Sequence, residues 1–295
     1  MKKLMLIVNP AAGREGYRFY FGEAMHELAK GGFETTLFFT SGRGEATQMA
    51  REHAAEFDQV ACVGGDGTLS EVLGGLIQIP DPPPIGYIPM GTTNDVATTL
   101  GLSKNDMVGA VRQMLEGTPH PYDVGSFGGS EYFAYIAAFG AFTEVSYATP
   151  QSQKRALGQL AYVLQGASTL AKIEPIHTRV EYDDGVFEGN LVYGSMSNST
   201  SVAGIIRLQE DMVSLGDGMS ELVLVKDPER IDVFGELAAA VLARTFDSES
   251  LLILHTRQAK FTFDKPVAWT RDGEAGGVHQ EIVLRNCPAA VRFIF

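Results

Sequence analysis

Up to about residue 121, the chain alternates short apolar runs with stretches that have the 3.6-residue periodicity of amphipathic helices. The apolar runs predict β-strands at 4–8, 34–39, 60–63 and 85–88. The periodic stretches predict helices at 17–30, 44–56, 69–77, from 94 onward and at 104–116. Strands that alternate with helices favour a doubly wound α/β domain with a mostly parallel sheet.

The pattern changes after residue 121, where β-branched and aromatic residues become frequent. Strands are predicted at 132–138, 176–182, 186–193, 221–225, 259–263, 281–284 and 291–295, with turn pairs at Gly128-Gly129, Asp184-Gly185 and Asp272-Gly273. Helices are predicted within this half at 158–171 and 230–244. We therefore predict an α/β domain over residues 1–122 and an all-β, antiparallel domain with a few inserted helices over residues 123–295. A cleft between them is the expected site.

Length, charge and cysteine content narrow the function classes. At 295 residues the chain exceeds the usual size of one hydrophobic core, which agrees with two domains. A net charge of −13 argues against nucleic acid as a partner. Cys62 and Cys287 have no zinc-ligand spacing, and no apolar run is long enough to span a membrane. These features predict a cytoplasmic protein that touches a membrane only transiently, at the inner surface.

A glycine-rich segment, Gly64-Gly65-Asp66-Gly67-Thr68, stands between the strand predicted at 60–63 and the helix predicted at 69–77. Glycines let backbone N–H groups approach an anion closely, and a helix N-terminus adds partial positive charge, so this order predicts a phosphate site. The Asp66 carboxylate would repel phosphate unless a cation lies between them, which points to a nucleotide bound with Mg²⁺. An ordinary strand-to-helix turn is the alternative for this segment alone.

Two further polar loops follow predicted strands. Asn9-Pro10 follows the strand at 4–8, and Pro89-Met90-Gly91-Thr92-Thr93-Asn94-Asp95 follows the strand at 85–88. The carboxyl ends of parallel strands meet at one edge of a sheet, where ligands bind. We therefore expect the three loops to converge on one ligand.

These loops, taken with the later Asp272-Gly273-Glu274, appear in the order found in soluble lipid kinases, and the chain resembles the bacterial soluble diacylglycerol kinases. The resemblance implies an N-terminal nucleotide domain similar to those of phosphofructokinases and NAD kinases, and a C-terminal β-sandwich that accepts a lipid. It also implies an ATP- and Mg²⁺-dependent transfer of the γ-phosphoryl group to diacylglycerol at a membrane surface, giving phosphatidic acid.

The resemblance also implies roles for individual residues. Asp66 and Asp95 would hold the catalytic Mg²⁺ directly or through water, and either Asp272 or Glu274 would accept the proton of the substrate hydroxyl. The implied ATP- or phosphate-binding residues are Asn9, Pro10, Gly13, Arg14, Arg18, Gly64, Gly65, Gly67, Thr68, Gly91, Thr92, Asn94 and Lys154. Arg14 stands where the bacterial relatives usually have a lysine.

Simpler structural roles compete with these assignments. Asn9 before Pro10 is also a turn former, and Asp95 is also a favourable first-turn carboxylate of a helix. Asp272-Gly273 is equally a hairpin signal. Solvated surface charge is the alternative for the basic residues Arg14, Arg18 and Lys154.

A second, structural Mg²⁺ site of the family is implied around Asp217. The implied ligands are Asp217, Ser214 and Met219, the last two through their backbone carbonyls. Relatives often carry another acid just before this aspartate, where this chain has Gly216. Glu210 or Asp211 are the candidate replacements, and a plain turn is the alternative.

Three functional alternatives stay open on the sequence alone. The leading prediction is a diacylglycerol kinase, and a homodimer is a further expectation. A kinase of another acceptor, such as phosphatidylglycerol, a sphingoid base or NAD, would keep the same nucleotide site. A non-catalytic nucleotide or lipid sensor would keep only the fold.

Overall fold

The computed structural model describes residues 1–12, 20–91, 94–104, 106–140, 174–199, 201–202, 206–207, 214–227 and 250–295. The elements up to residue 116 are β1 Lys2–Val8, α1 Phe21–Lys30, β2 Phe33–Phe39, α2 Glu45–His53 with a 3₁₀ turn Ala54–Glu56, β3 Gln59–Gly64, α3 Asp66–Leu76, β4 Ile85–Pro89, α4 Asp95–Thr99 and α5 Met107–Glu116. The strands that follow are β5 Pro119–Phe127, β6 Glu131–Phe133, β7 Ile136–Gly140, β8 Ile176–Tyr182, β9 Gly185–Ser197, β10 Ser201–Val202, β11 Ile206–Arg207, β12 Ser220–Lys226, β13 Leu251–Thr256, β14 Gln258–Arg271 and β15 Glu274–Ile294.

The N-terminal strands form a parallel sheet in the order β2-β1-β3-β4. Successive residues of β1 face opposite sides of this sheet. Met5 and Ile7 pack with the apolar residues of α2 and α3, whereas Leu4 and Leu6 pack with those of α1 and α5. Helices therefore cover both faces, and the loops after β1, β3 and β4 emerge at the same edge.

The C-terminal half is strand-rich, and its long strands change partners along their length. The start of β14 pairs antiparallel with β8, and its end pairs with β7. A second apolar core fills this half, in which the ring of Trp269 contacts those of Phe139 and Phe261 with centroids 5.0 and 5.1 Å apart. Edge-to-face and tilted contacts of this kind stabilise a core beyond the area they bury.

The last strand connects the two halves of the molecule. β15 runs antiparallel to β14 and β5, and Phe293 near its end pairs in parallel with Ile85 of β4. The strand predicted at 291–295 is thus the end of this 21-residue strand. The predicted division at residue 122 falls within β5, and this domain boundary stays a prediction.

Several predicted elements differ from the observed ones. Residues 66–68, predicted as a loop, form the first turn of α3, where an acidic side chain is favourable. The strand predicted at 132–138 is interrupted between β6 and β7, because the amides at 134–136 point to the carboxylate of Asp272. β5 and β13 were not predicted. The helices predicted at 158–171 and 230–244 lie outside the described residues.

Candidate active site

The loops after β3 and β4 pack backbone against backbone. The N–H of Met90 donates to the carbonyl of Gly64 at 2.7 Å. A Cβ at Gly91 would lie 2.5 Å from the Cα of Gly65, so a side chain at this position would push the loops apart. Glycine is required here for the close approach. The loops after β3 and β4 therefore lie together, as the sequence predicted.

The loop after β1 reaches the same place through Asn9. Its Nδ2 donates to the Thr68 hydroxyl at 3.0 Å, and its Oδ1 accepts the N–H of Ala11 at 3.0 Å. The second contact is the turn-forming role predicted for an asparagine before Pro10. The first contact ties this turn to the first turn of α3. The turn-forming interpretation of Asn9 is confirmed, and its role in phosphate binding stays a prediction.

Asp66 and Asp95 lie next to each other at the start of two helices. The carboxylate of Asp66 accepts the N–H of Asp95 at 2.9 Å and that of Val96 at 3.3 Å, which places Asp66 at the N-terminus of α4. Burial raises the pKa of Asp66 to about 7, despite these two donors, and the charge of Asp95 adds to the rise. Asp95 itself is hydrogen-bonded to the Tyr135 side chain, which comes from the C-terminal half.

Two protein groups hold the side chain of Asn94. It has a left-handed backbone with φ of 52°, its Nδ2 donates to the carbonyl of Gly91 at 2.8 Å, and its Oδ1 accepts the Tyr87 hydroxyl at 3.2 Å. The side chain is almost completely buried. Asn94, predicted among the phosphate-binding residues, therefore shapes the loop that precedes α4.

Asp272 fastens the turn between β14 and β15 to the chain around residue 135. Its carboxylate accepts the N–H groups of Ala134 at 2.6 Å and of Tyr135 and Ile136 at 3.0 Å each. Burial raises the pKa of Asp272, while the Ser70 hydroxyl and the three amides oppose the rise. Asp272 and Gly273 both have positive φ, so the residue pair is also a hairpin turn, as the alternative interpretation predicted.

Glu274, two residues further on, projects toward the glycine-rich segment. A Cβ at Gly67 would lie 2.6 Å from its Oε1, and its Oε2 lies 3.3 Å from an Nη of Arg43. The Glu274 side chain is 53% exposed, whereas Asp272 is buried. The turn of the C-terminal half thus contacts the N-terminal half beside the residues predicted to bind phosphate.

Within the described part of the chain, two neighbouring clefts meet where Glu274 contacts Gly67. One, of about 320 Å³, opens between α2, α3 and the start of β6, and includes Ser70, Tyr132 and Asp272. The other, of about 360 Å³, contains Asn9, Pro10 and Thr68. Both clefts are lined by Arg43, Gly67, Glu71 and Glu274.

Sequence reasoning did not identify Arg43, Glu71 or Tyr135. Glu71 accepts the N–H of Gly44 at 2.8 Å and fixes the start of α2. Arg43 lies in the loop after β2, a fourth parallel strand whose carboxyl end is at the same edge of the sheet. The flanking Gly42 and Gly44 could have identified this segment as a further loop at the site. Tyr135 carries no local signal, because its partner Asp95 is distant in sequence.

The implied second metal site shows a turn around Asp217. Its Oδ1 accepts the N–H of Met219 at 3.0 Å, and both Asp217 and Ser214 are exposed. A Cβ at Gly216 would lie 2.6 Å from the carbonyl oxygen of Pro121, which disfavours an acid at that position. Within the part of the chain that the structure describes, no group of three or more His, Cys, Asp or Glu side chains is arranged to hold a metal. Gly13, Arg14, Arg18, Thr92 and Lys154 lie outside the described residues.

Comparison with known proteins shows the family of this chain. Residues 3–127 match the model of the diacylglycerol kinase catalytic domain, and residues 136–295 match that of the YegS C-terminal NAD kinase beta sandwich-like domain. The diacylglycerol kinase of Bacillus subtilis (strain 168) is 33% identical over 279 residues, which cover 94% of this chain and 91% of the relative. The chain belongs to the diacylglycerol kinase family. A diacylglycerol kinase of Staphylococcus epidermidis is 31% identical over 94% of this chain and 87% of its own length.

Solved structures agree with the family on the level of the fold. A diacylglycerol kinase structure from Bacillus anthracis str. Sterne has a TM-score of 0.77, with coverage of 100% of this chain and 97% of its own, at 23% identity. Such a likeness shows the fold alone. Family membership supports the general activity of a lipid kinase, a transferase. Among the described helices, none combines the length and apolarity needed to cross a membrane.

Proposed function

We propose that this protein is an ATP- and Mg²⁺-dependent diacylglycerol kinase that forms phosphatidic acid. The observation that carries the proposal is the contact of Glu274, from the C-terminal half, with Gly67 of the glycine-rich segment, where two clefts meet. In this proposal the cleft beside Asn9 takes the nucleotide phosphates. The neighbouring cleft leads to the acceptor, which a C-terminal β-sandwich would hold.

The N-terminus of α3 supplies the proposed phosphate site. The backbone of Gly65, Gly67 and Thr68 stands at the start of an 11-residue helix, where N–H groups lack partners within the helix and the helix dipole favours an anion. Asn9 fixes Thr68 beside these groups. Phosphoryl transfer depends mainly on such positioning and on charge neutralisation.

The carboxylates at the start of α4 fit a requirement for a cation. Asp66 and Asp95 lie side by side, and their mutual repulsion contributes to the raised pKa of Asp66. In the proposal these two residues hold Mg²⁺, with both Asp66 oxygens also engaged by backbone N–H groups, so contact through water is favoured. When bound, the metal would reduce the negative charge of the triphosphate.

Glu274 is the proposed proton acceptor. Asp272 is buried and its carboxylate is occupied by three backbone N–H groups, whereas Glu274 is half-exposed in both clefts. The acceptor oxygen forms a bond to the γ-phosphorus, the bond from phosphorus to the β–γ bridging oxygen breaks, and ADP leaves. The hydroxyl proton passes to Glu274 as the new bond forms. Because the hydroxyl is a very weak acid, the base must be held close to it.

A transfer assay with γ-labelled ATP, Mg²⁺ and short-chain diacylglycerol in mixed micelles tests the proposal. We expect labelled phosphatidic acid from the wild type and from Arg51→Gln, an exposed control on α2, and loss of the product in Glu274→Gln. Parallel reactions with phosphatidylglycerol, sphingosine and NAD examine the other acceptors. Product from one of these but not from diacylglycerol would overturn the acceptor, and nucleotide binding without any product would favour a sensor.

Recruitment to a membrane surface is part of the same proposal, since the acceptor is a lipid. Arg14, Arg18, Lys154 and Arg155 are the proposed contacts to anionic headgroups. Replacing Lys154 and Arg155 by Glu should lower activity on anionic vesicles but not in neutral detergent micelles, because only the vesicles carry charge. Equal vesicle binding by this variant and the wild type would remove the patch from the proposal. Cytoplasmic location and a homodimer stay predictions.

A further inference from the structure

Arg43 lines both clefts, and its guanidinium lies at the point where they meet. Its Nη2 is 3.3 Å from Oε2 of Glu274, which joins the N-terminal loop after β2 to the turn before β15. The proposed proton acceptor is therefore paired with a cation in this structure. A role for this pair in the reaction rests on the proposed function.

The backbone on both sides of Arg43 is held in place. The N–H of Ser41 donates to Glu45 at 2.7 Å, and the N–H of Gly44 donates to Glu71 at 2.8 Å. Gly44 has a φ of +83°, a left-handed conformation that glycine adopts without strain. The loop thus presents Arg43 at a fixed position, while the long side chain stays free to turn about its own bonds.

The ion pair itself is weak enough to exchange. The side chains of Arg43 and Glu274 are 66% and 53% exposed, and pairs between exposed groups contribute little to stability because water competes with them. By contrast, Arg271, another guanidinium lining the first cleft, is only 15% exposed. It binds Glu131 at 3.1 Å and lies over the Phe127 ring. Arg43 is the better candidate for a new partner.

The charge of the junction favours such a new partner. The carboxylates of Glu71, Asp272 and Glu274 line the first cleft, and Asp66 lies nearby. A triphosphate entering the second cleft needs a cation to offset these charges, and a planar guanidinium binds phosphate oxygens through two parallel hydrogen bonds.

We propose that Arg43 is an exchangeable clamp. Without nucleotide it holds the Glu274 carboxylate, and with nucleotide it moves to the phosphates and releases Glu274 to accept the proton of the acceptor hydroxyl. Nucleotide binding thereby prepares the base, so that the acceptor site becomes competent only when the phosphoryl donor is present.

A double-mutant cycle tests the exchange. The affinity for a non-hydrolysable ATP analogue with Mg²⁺ is measured by calorimetry for the wild type, Arg43→Gln, Glu274→Gln and the double variant. Loss of a charge-assisted contact should weaken binding about tenfold in Arg43→Gln. Glu274→Gln should strengthen binding about two- to fourfold, because the competing partner is gone. In the Arg43→Gln background Glu274→Gln should give a smaller gain in affinity, because the arginine for which Glu274 competes is absent. If Glu274 acted only by repelling the phosphates, the gain would be equal in both backgrounds.

Arg51→Gln is the matched control, because Arg51 is a half-exposed arginine on α2 paired with Glu52, and it lines neither cleft. It should bind the analogue as the wild type does. Arg43→Lys keeps the charge without the planar fork and should fall between the wild type and Arg43→Gln, also in the KM for ATP. This variant decides the question if Arg43→Gln does not fold.

The outcomes separate this inference from the proposed function. If the wild type phosphorylates diacylglycerol but Arg43→Gln and Arg43→Lys bind the analogue as Arg51→Gln does, the clamp is wrong and the kinase stands. An equal gain from Glu274→Gln in both backgrounds also overturns the exchange. If the wild type binds no nucleotide, both the clamp and the proposed function fail.

Discussion

The Glu274 carboxylate occupies the space beside the Cα of Gly67, where a Cβ would lie 2.6 Å from Oε1. Gly67→Ala should therefore displace the proposed base, while the half-exposed Glu274 moves aside at little cost in stability. Because a shift of about 1 Å in a reacting group can cost about a hundredfold in rate, we expect kcat to fall by about tenfold or more. The γ-phosphoryl transfer assay measures this.

Gly22→Ala is the matched control for this substitution. Gly22 and Gly67 are each the second residue of their helix, but a Cβ at Gly22 meets nothing within 4 Å. Both variants should be as stable as the wild type or slightly more so, since alanine is the better helix former. Full activity of Gly67→Ala would show that transfer does not depend on where Glu274 lies.

Asp272 and Glu274 should separate cleanly in paired measurements of stability and activity. Asp272→Asn places an amide group against backbone N–H donors, so we expect the free energy of unfolding to fall by about 2–3 kcal/mol along with the activity. Glu274→Gln should lose activity by about a hundredfold or more and stay within about 1 kcal/mol of the wild type in stability. Urea unfolding and the transfer assay give the two values.

The reverse pattern would reassign the base. If Asp272→Asn folds with wild-type stability and is inactive, and Glu274→Gln is active, then the three N–H contacts to Asp272 do not contribute to folding as described. The proton acceptor would then be Asp272.

Tyr135 links the C-terminal half to Asp95 through its hydroxyl group. Removing this hydroxyl should lower the activity more than the loss of stability alone would explain. Tyr135→Phe loses the hydrogen bond to Asp95, and we expect about 1–2 kcal/mol less stability and a clear fall in kcat. Tyr122→Phe is the control, because the buried Tyr122 hydroxyl donates to the carbonyl of Ala134 at 2.8 Å and does not touch Asp95. The control should lose similar stability and keep its activity. Equal kcat values for the two variants would remove the positioning role of Tyr135.

The sequence predicted the part of the site that local pattern determines. β1, β3 and β4 each contain a buried, largely apolar run with a glycine or proline within two residues of its end. The sequence therefore predicted both these strands and the positions of their loops. The convergence of Asn9, Gly65 and Gly91 followed from parallel pairing alone. The hairpin at Asp272-Gly273 was readable for the same reason, as a local turn signal.

The remaining features depend on contacts between distant residues. Asp272 binds amides about 137 positions away, and this contact interrupts the strand predicted at 132–138. The long β15 was predicted only in fragments at 281–284 and 291–295, because its exposed and buried positions do not alternate regularly. The pairing of Arg43 with Glu274 has no local signature, since either residue alone resembles an ordinary surface charge.

A buried acid away from the clefts should control how stability depends on pH. Glu221 on β12 is 1% exposed, and its Oε2 has no hydrogen-bond partner among the described residues. Burial raises its pKa to about 8, with the charge of Asp217 as a further cause. The unfolded chain releases this proton near pH 4.5, whereas the folded protein keeps it up to about pH 8. The contribution of Glu221 to stability therefore falls as the pH rises between these values and is constant above them.

Glu221→Gln removes this proton linkage without a large change of shape. Compared with the wild type, the variant should be little changed at pH 4.5 and more stable at pH 8, by at most a few kcal/mol, since one pKa unit corresponds to about 1.4 kcal/mol. Urea unfolding across this range, with a chelator present to remove divalent cations, gives the difference. The raised pKa of Asp66 changes the stability of both proteins with pH in the same way, so it cancels from the difference between them.

Glu116→Gln is the control, because Glu116 is at the exposed end of α5 and the substitution makes the same charge change. Its stability should follow the wild-type pH profile. A Glu221→Gln profile parallel to the wild type would mean that Glu221 is already ionised in the folded protein, with a cation or water paired to its second oxygen.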